Sequence, residues 1–184
     1  MYKSNLEWKQ KTFGTQEEFF EKYPFMKCRS AWNGEYIEPY DEYDYGWLEL
    51  IPQGWALAFG KQLLDEIREA LIEVDDLYNY RIVQIKEKYA ELRIYDNGKK
   101  ENCRVWDIIE KYENISYKTC IKCGASANYY TEGWIIPLCE NCKNNDDKHY
   151  YDIDEEIDYN LFTSSADEVL YNPEFVKNIK EKNE

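Results

Sequence analysis

Apolar positions recur at three- and four-residue intervals from Trp55 to Val74. Phe59, Leu63, Ile67, Ala70 and Val74 form the stripe, flanked by Leu64 and Leu71. Asp65, Glu66, Glu69 and Glu73 occupy the opposite side. This period predicts the longest helix of the chain, entered through the turn Pro52-Gln53-Gly54-Trp55. Gly60 inside it costs about 1 kcal/mol against Ala, which predicts a close packing contact there. A second helix is expected from about Asn102 to Asn114, with Val105, Ile108, Ile109 and Tyr112 on one face. Alternation over Arg81 to Tyr95 predicts a β-hairpin, ended by the turn residues Asp96-Asn97-Gly98. Near the start, Thr15-Gln16-Glu17-Glu18 is a capping box opening a helix over 16–22 that Pro24 stops. A short helix with Pro173 as its first residue is expected near the C-terminus. No internal repeat is evident.

These elements predict an α+β fold with a long helix on a small antiparallel sheet and a modest core. The expected units are an α+β domain over 1–119, a zinc ribbon over 120–143 and an acidic tail over 144–184. The 184 residues suit roughly one ordinary domain. The chain starts with a polar, mixed-charge stretch and holds no 18-residue apolar run, so neither a signal peptide nor a membrane anchor is expected. A reducing, cytoplasmic compartment follows.

The cysteines add the sharpest chemistry. Cys120-Ile-Lys-Cys123-Gly124 and Cys139-Glu-Asn-Cys142 form a C-x₂-C…C-x₂-C pattern. Two residues between thiolates let one tight turn offer both sulfurs to a single ion at about 2.3 Å. Gly124 supplies the positive φ that such a turn often needs. One structural zinc per chain, held by Cys120, Cys123, Cys139 and Cys142, is the expected cofactor. Two disulfides or an iron–sulfur cluster are the alternatives; a reducing compartment disfavours the first. Cys28 and Cys103 lack partners at ligand spacing and read as buried free thiols.

The net charge is −14, and it is concentrated. Residues 35–50 carry six acidic and no basic residues, and residues 144–184 carry twelve acidic and four basic. Such a balance argues against duplex DNA or an anionic membrane as partner. Tyr36, Tyr40, Asp41, Glu42, Tyr43 and Asp44 make a Tyr-rich acidic loop. Carboxylates on a firm surface can imitate phosphates, and tyrosines add contact area at low entropy cost. With Asp152, Asp154, Glu156 and Asp158 of the tail, these are the candidate partner-binding residues. Arg81, Lys86, Lys88, Arg93 and Trp106 offer an alternative, a nucleotide or single-strand site built on charge and stacking. With one histidine, no phosphate-cradling Gly loop and no nucleophile motif, a non-enzymatic protein is expected.

Several segments together resemble a family of uncharacterised proteins from phages and prophages of low-GC bacteria. They are Tyr23-Pro24-Phe25-Met26, Gly54-Trp55 with Ala58-Phe59-Gly60, residues 80–89, Leu92-Arg93, Tyr95-Asp96-Asn97-Gly98, residues 119–124 and Gly133-Trp134-Ile135. The likeness spans roughly residues 20–142; the tail departs from it. The resemblance implies an accessory protein of a mobile element, acting inside a bacterial cell. Proteins of that kind often inhibit host defence, including CRISPR systems. The expected function is therefore inhibition of a basic, nucleic-acid-handling host protein. Nucleotide-signal sequestration and zinc-ribbon nucleic-acid binding are the alternatives.

Overall fold

The computed structural model describes residues 2–30, 33–39, 41, 44–98, 100–101, 103–143 and 150–153, without the side chains of residues 2–6 and Tyr151. The α+β architecture matches the periodicity. Helix α1 (Tyr2–Phe13) precedes α2 (Gln16–Lys22), and two single 3₁₀ turns follow at Pro24–Met26 and Gly46–Leu50. The central rod spans 53–73. It joins a single α turn, α3 (Gln53–Trp55), a π-helical turn at Ala56–Gly60, and α4 (Lys61–Glu73). Strands β1 (Ile82–Lys88) and β2 (Glu91–Asp96) form an antiparallel pair. Helix α5 (Val105–Tyr117) lies against both α4 and β2. The C-terminal module carries β3 (Tyr129–Thr131), β4 (Pro137–Leu138) and β5 (Tyr150–Asp152), ordered β4-β3-β5.

The capping box at α2 is present in full. The Thr15 hydroxyl accepts from the Glu18 N–H, and the Glu18 carboxylate accepts from the Thr15 N–H at 2.7 Å. This turns Phe19 and Phe20 inward, where Phe19 meets Phe13 at 5.4 Å and Tyr45 at 5.1 Å between ring centroids. The stripe on the rod is buried as its period requires: Leu63, Leu64, Ile67, Ala70 and Leu71 are all inaccessible. They share one core with Ile82, Ile85, Leu92 and Ile94 of the hairpin and Val105, Ile108, Ile109 and Tyr112 of α5.

Four features depart from the pattern. Helix α1 was not foreseen, because residues 2–13 show only a weak apolar stripe. Helix α5 runs three residues later than its composition suggested. The hairpin alternation breaks at a register shift between Ile82 and Gln84, which leaves Val83 exposed while Ile82 and Ile85 are both buried. Its two-residue loop has φ +52° at Tyr89 and +67° at Ala90, a type I′ shape usually built with Asn and Gly. Burial of Ala90 against Tyr130 and Ile135 offsets the strain.

The fourth departure concerns glycine. At Gly60 an added Cβ would meet only the Ala56 Cβ, at 3.6 Å, an ordinary contact. The expected close packing lies instead at Gly54, where a Cβ would fall 2.2 Å from the Cys120 carbonyl oxygen and 2.6 Å from the Ile121 carbonyl. Both obstacles are backbone, so neither can swing aside.

Gly54→Ala therefore forces the rod away from residues 120–121 and is expected to cost about 3 kcal/mol. Gly60→Ala is expected to stabilise by about 0.5–1 kcal/mol through helix propensity. Urea unfolding of both variants checks this; equal effects would show that Gly54 is not a contact point.

Candidate metal centre

The four-cysteine module is assembled on the rod. After α5 the chain turns, and the Thr119 hydroxyl caps the Ile115 carbonyl at 2.8 Å. The Thr119 carbonyl accepts from the Trp55 indole N–H at 2.8 Å, a bond wholly out of solvent. Leaving that N–H unpaired would cost about 1–3 kcal/mol. One residue later the first turn begins. The Gly124 N–H donates to the Cys120 carbonyl at 2.9 Å, the Cys120 N–H to the Ala125 carbonyl at 2.7 Å, and Gly124 sits at φ +81°. The Gly54 N–H donates to the Ile121 carbonyl at 2.9 Å, which locks the turn to the start of the rod.

Strand β4 delivers the second turn. The Ile121 N–H donates to the Pro137 carbonyl at 3.0 Å, so the two turns are tied before the cysteines meet. The Cys142 and Lys143 N–H groups both donate to the Cys139 carbonyl at 3.0 Å. The Lys122 ammonium closes across to the Cys142 carbonyl at 3.3 Å.

The result is four sulfurs, from Cys120, Cys123, Cys139 and Cys142, all within 4.8 Å of one another. A tetrahedron with metal–sulfur bonds of about 2.3 Å has edges of about 3.8 Å. Cys123 and Cys139 Sγ stand 3.5 Å apart, and all four thiols are unbridged. This donor set fits a soft or borderline metal ion rather than two disulfides. Cys120 and Cys139 are buried, Cys142 is half-buried and Cys123 faces solvent. Burial pushes the Cys120 thiol up, but the N–H groups of Cys139, Cys123 and Lys122 outweigh it and hold it at about 7. Burial and the neighbouring thiols push Cys142 up to about 12.

The remaining cysteines separate. Cys103 is buried, with its thiol 3.7 Å from the Ala70 carbonyl. Cys28 is only half-buried, and burial together with Asp44 raises it to about 11.

Other predicted site residues are placed as follows. The acidic loop is fastened to the core at both ends. Tyr36 bridges Arg29, and the Gln16 amide donates to the carbonyls of Asp41 and Asp44, each at 2.7 Å. Asp44 also caps the Gly46 N–H at 2.8 Å, so its carboxylate is structural. Tyr45 is fully buried and donates to the Gly14 carbonyl at 2.7 Å. Asp152, expected in the acidic tail as a partner-binding residue, lies exposed in β5, opposite Tyr129. Tyr40, Glu42, Tyr43, Asp154, Glu156, Asp158 and the expected helix near Pro173 lie outside the described residues.

The five residues of the nucleotide alternative are divided. Arg93 pairs with Glu91 and, at 3.1 Å, with Glu113. The Trp106 indole donates to Asp96 at 2.9 Å. Lys86 stands over Tyr95 and Lys88 over Tyr89, at 4.8 and 5.2 Å from the ring centroids. Arg81 lies beside Gly34. The sequence already sets Glu91 against the basic residues of the hairpin, two positions from Arg93 on β2; Glu113 was missed, because only the packing of α5 on β2 brings it near Arg93. Sequence reasoning also missed Trp134, which is 76% exposed on the β3–β4 loop and donates to Glu87 at 3.2 Å.

No family model, curated protein or solved structure matches this chain. Among the described residues, no helix is long and apolar enough to cross a membrane.

Glu91 generates a pH signature. Burial pushes its carboxyl up to about 7 although Arg93, shared with Glu113, pulls it down. A carboxyl raised in the folded state favours folding below its unfolded value, about 4.3. That contribution is lost as pH rises through about 7. Glu91→Gln mimics the protonated form. The variant should gain Tm relative to the parent at pH 8 and lose that gain at pH 4. A constant Tm difference across that range would contradict the burial argument.

Proposed function

We propose that this protein is a non-enzymatic binding protein of phage-accessory type, clamped by one structural zinc, that inhibits a basic, nucleic-acid-handling host protein through its acidic surface. The observation that carries the reading is the fastening of the acidic loop. Glu35, Glu38 and Asp41 are exposed, while Gln16, Arg29, Asp44 and Tyr45 hold the loop's backbone to the core. A backbone held at these points leaves its exposed carboxylates less freedom to lose on binding, which favours a phosphate-like array. The net charge of −14 steers a cationic partner and repels duplex DNA. The resemblance to phage and prophage proteins supplies the bacterial cytoplasm as setting.

Zinc suits the centre because four cysteines within 4.8 Å fill a tetrahedron and leave no position for water. Bound there, the ion supplies positive charge to four thiolates and closes the loop between the two turns. Held by Cys120, Cys123, Cys139 and Cys142, it would brace residues 119–124, which the Gly54 N–H and the Trp55 indole already bond.

Native mass spectrometry should find one zinc per chain, and chelation should lower Tm while accelerating amide exchange at Gly54, Ile121 and Cys142 together. Full protection after metal removal would make the centre dispensable for the fold.

For the partner, tagged protein is recovered from a nuclease-treated bacterial lysate. A single stoichiometric basic protein should co-purify, with its activity inhibited. Glu38→Lys with Asp41→Lys should weaken that complex by roughly tenfold, ~1.4 kcal/mol, and added salt should do the same. Asp44 is left intact because its side chain caps Gly46. Binding indifferent to both changes would dispose of the acidic-surface mechanism.

A further inference from the structure

A cleft of about 350 Å³ lies between β2 and α5, outside both the metal centre and the acidic loop. Tyr95 and Asp96 enter it from the strand; Trp106, Glu110 and Glu113 enter it from the helix, with Ile109 buried beneath. Spacings of four and three residues put the three helical side chains on one face. Both rings are open to solvent: Trp106 is 52% exposed and Tyr95 43%.

The cleft is held in shape before anything enters it. Asp96 accepts from the Trp106 indole at 2.9 Å and from the Tyr80 hydroxyl at 2.7 Å. The indole is thus held by its N–H edge, leaving ring surface exposed. Glu113 accepts from the Ile94 N–H and pairs with Arg93, and burial raises its carboxyl above the usual range. Lys86 already keeps its ammonium 4.8 Å from the Tyr95 centroid, so this ring serves as a cation partner in its present setting.

We infer that this cleft receives the guanidinium or ammonium group of a basic side chain presented by a protein partner. Two aromatic rings beside carboxylates are the arrangement that attracts an organic cation through ring quadrupole and charge together. Three carboxylates, Asp96, Glu110 and Glu113, line it; among the described residues the Arg93 guanidinium pairs with Glu113 and Glu91, and the Lys86 ammonium stands over Tyr95. A phosphate would meet those carboxylates, so Trp106 is better placed for a cation than for a nucleotide. The inference rests on the basic-partner reading above and names where one side chain of that partner lodges.

The test uses the full chain, ¹⁵N-labelled and metal-loaded, with the Trp106 indole N–H signal identified by Trp106→Phe. The probe is N-acetyl-arginine methylamide, with the isosteric neutral citrulline derivative as control. The arginine probe should move the Trp106 signal saturably in the millimolar range. The citrulline probe should not. Glu110→Gln, at an exposed helix position, should weaken the arginine effect about threefold. No saturable shift, or an equal shift with citrulline, overturns the inference. Glu38→Lys with Asp41→Lys should leave the Trp106 titration unchanged, so a failure of the acidic-loop reading and a failure of the cleft are seen separately.

Discussion

The backbone of Gly54 lies against the backbone of residues 120–124, and much else depends on that contact. The Gly54 N–H bonds the Ile121 carbonyl, and one residue later the Trp55 indole bonds the Thr119 carbonyl. From the other side, a Cβ on Gly124 would fall 2.6 Å from the Gly54 carbonyl oxygen and 3.1 Å from the Ala58 Cβ. Two glycines therefore face each other where the central rod meets the cysteine turn. Neither position has room for a side chain, and Gly124 also needs positive φ. The cysteine module keeps its own small apolar cluster of Cys120, Leu138 and Cys139, and the partly buried Ile121 packs against both it and the main core. The π turn at Ala56–Gly60 follows this contact directly, at the end of the rod that carries the seam.

Carboxylates tie the helices together. Asp65 on α4 accepts from Lys22 at 2.7 Å and from Tyr23 at 2.6 Å, which anchors α2. Burial pushes its carboxyl up, yet Lys22, Lys61 and Tyr23 together hold it at about 2. Glu66, one residue on, accepts from Lys111 and Tyr112 and anchors α5. On the far side of α5, Glu113 and Ser116 accept from the Ile94 and Leu92 N–H groups of β2. Those two side chains stand in for a missing strand and blunt an edge that would otherwise invite pairing with another chain. Part of the acidic composition is thus spent inside the fold, and the acidic loop contributes both Asp44 to the structure and Glu35 and Glu38 to the surface.

Local signals were legible where local physics decides them. The capping box at Thr15, the stripe from Phe59 to Ala70, the hairpin around residue 90 and the two cysteine turns each involve residues within a few positions of one another. Contacts between distant segments were not. Gly60 drew attention because it interrupts a helix, whereas Gly54, hidden in a turn beside Pro52, carries the close approach. Asp152 looked like one more tail carboxylate until β5 paired with β3. Arg93 and Trp106 stood together as a candidate nucleotide site; Glu113, brought in by α5, and Asp96 engage them.

The sequence by itself determined the α+β class, the four clustered cysteines that could hold a metal ion and the concentration of negative charge, since periodicity, ligand spacing and composition are properties of neighbouring residues. Tertiary structure alone decided which glycine is indispensable, which carboxylates are internal ties and which rings and acids meet in the cleft between β2 and α5. Those outcomes depend on which backbones approach within hydrogen-bond distance, and that is fixed only when the rod, α5 and the cysteine turns close on one another.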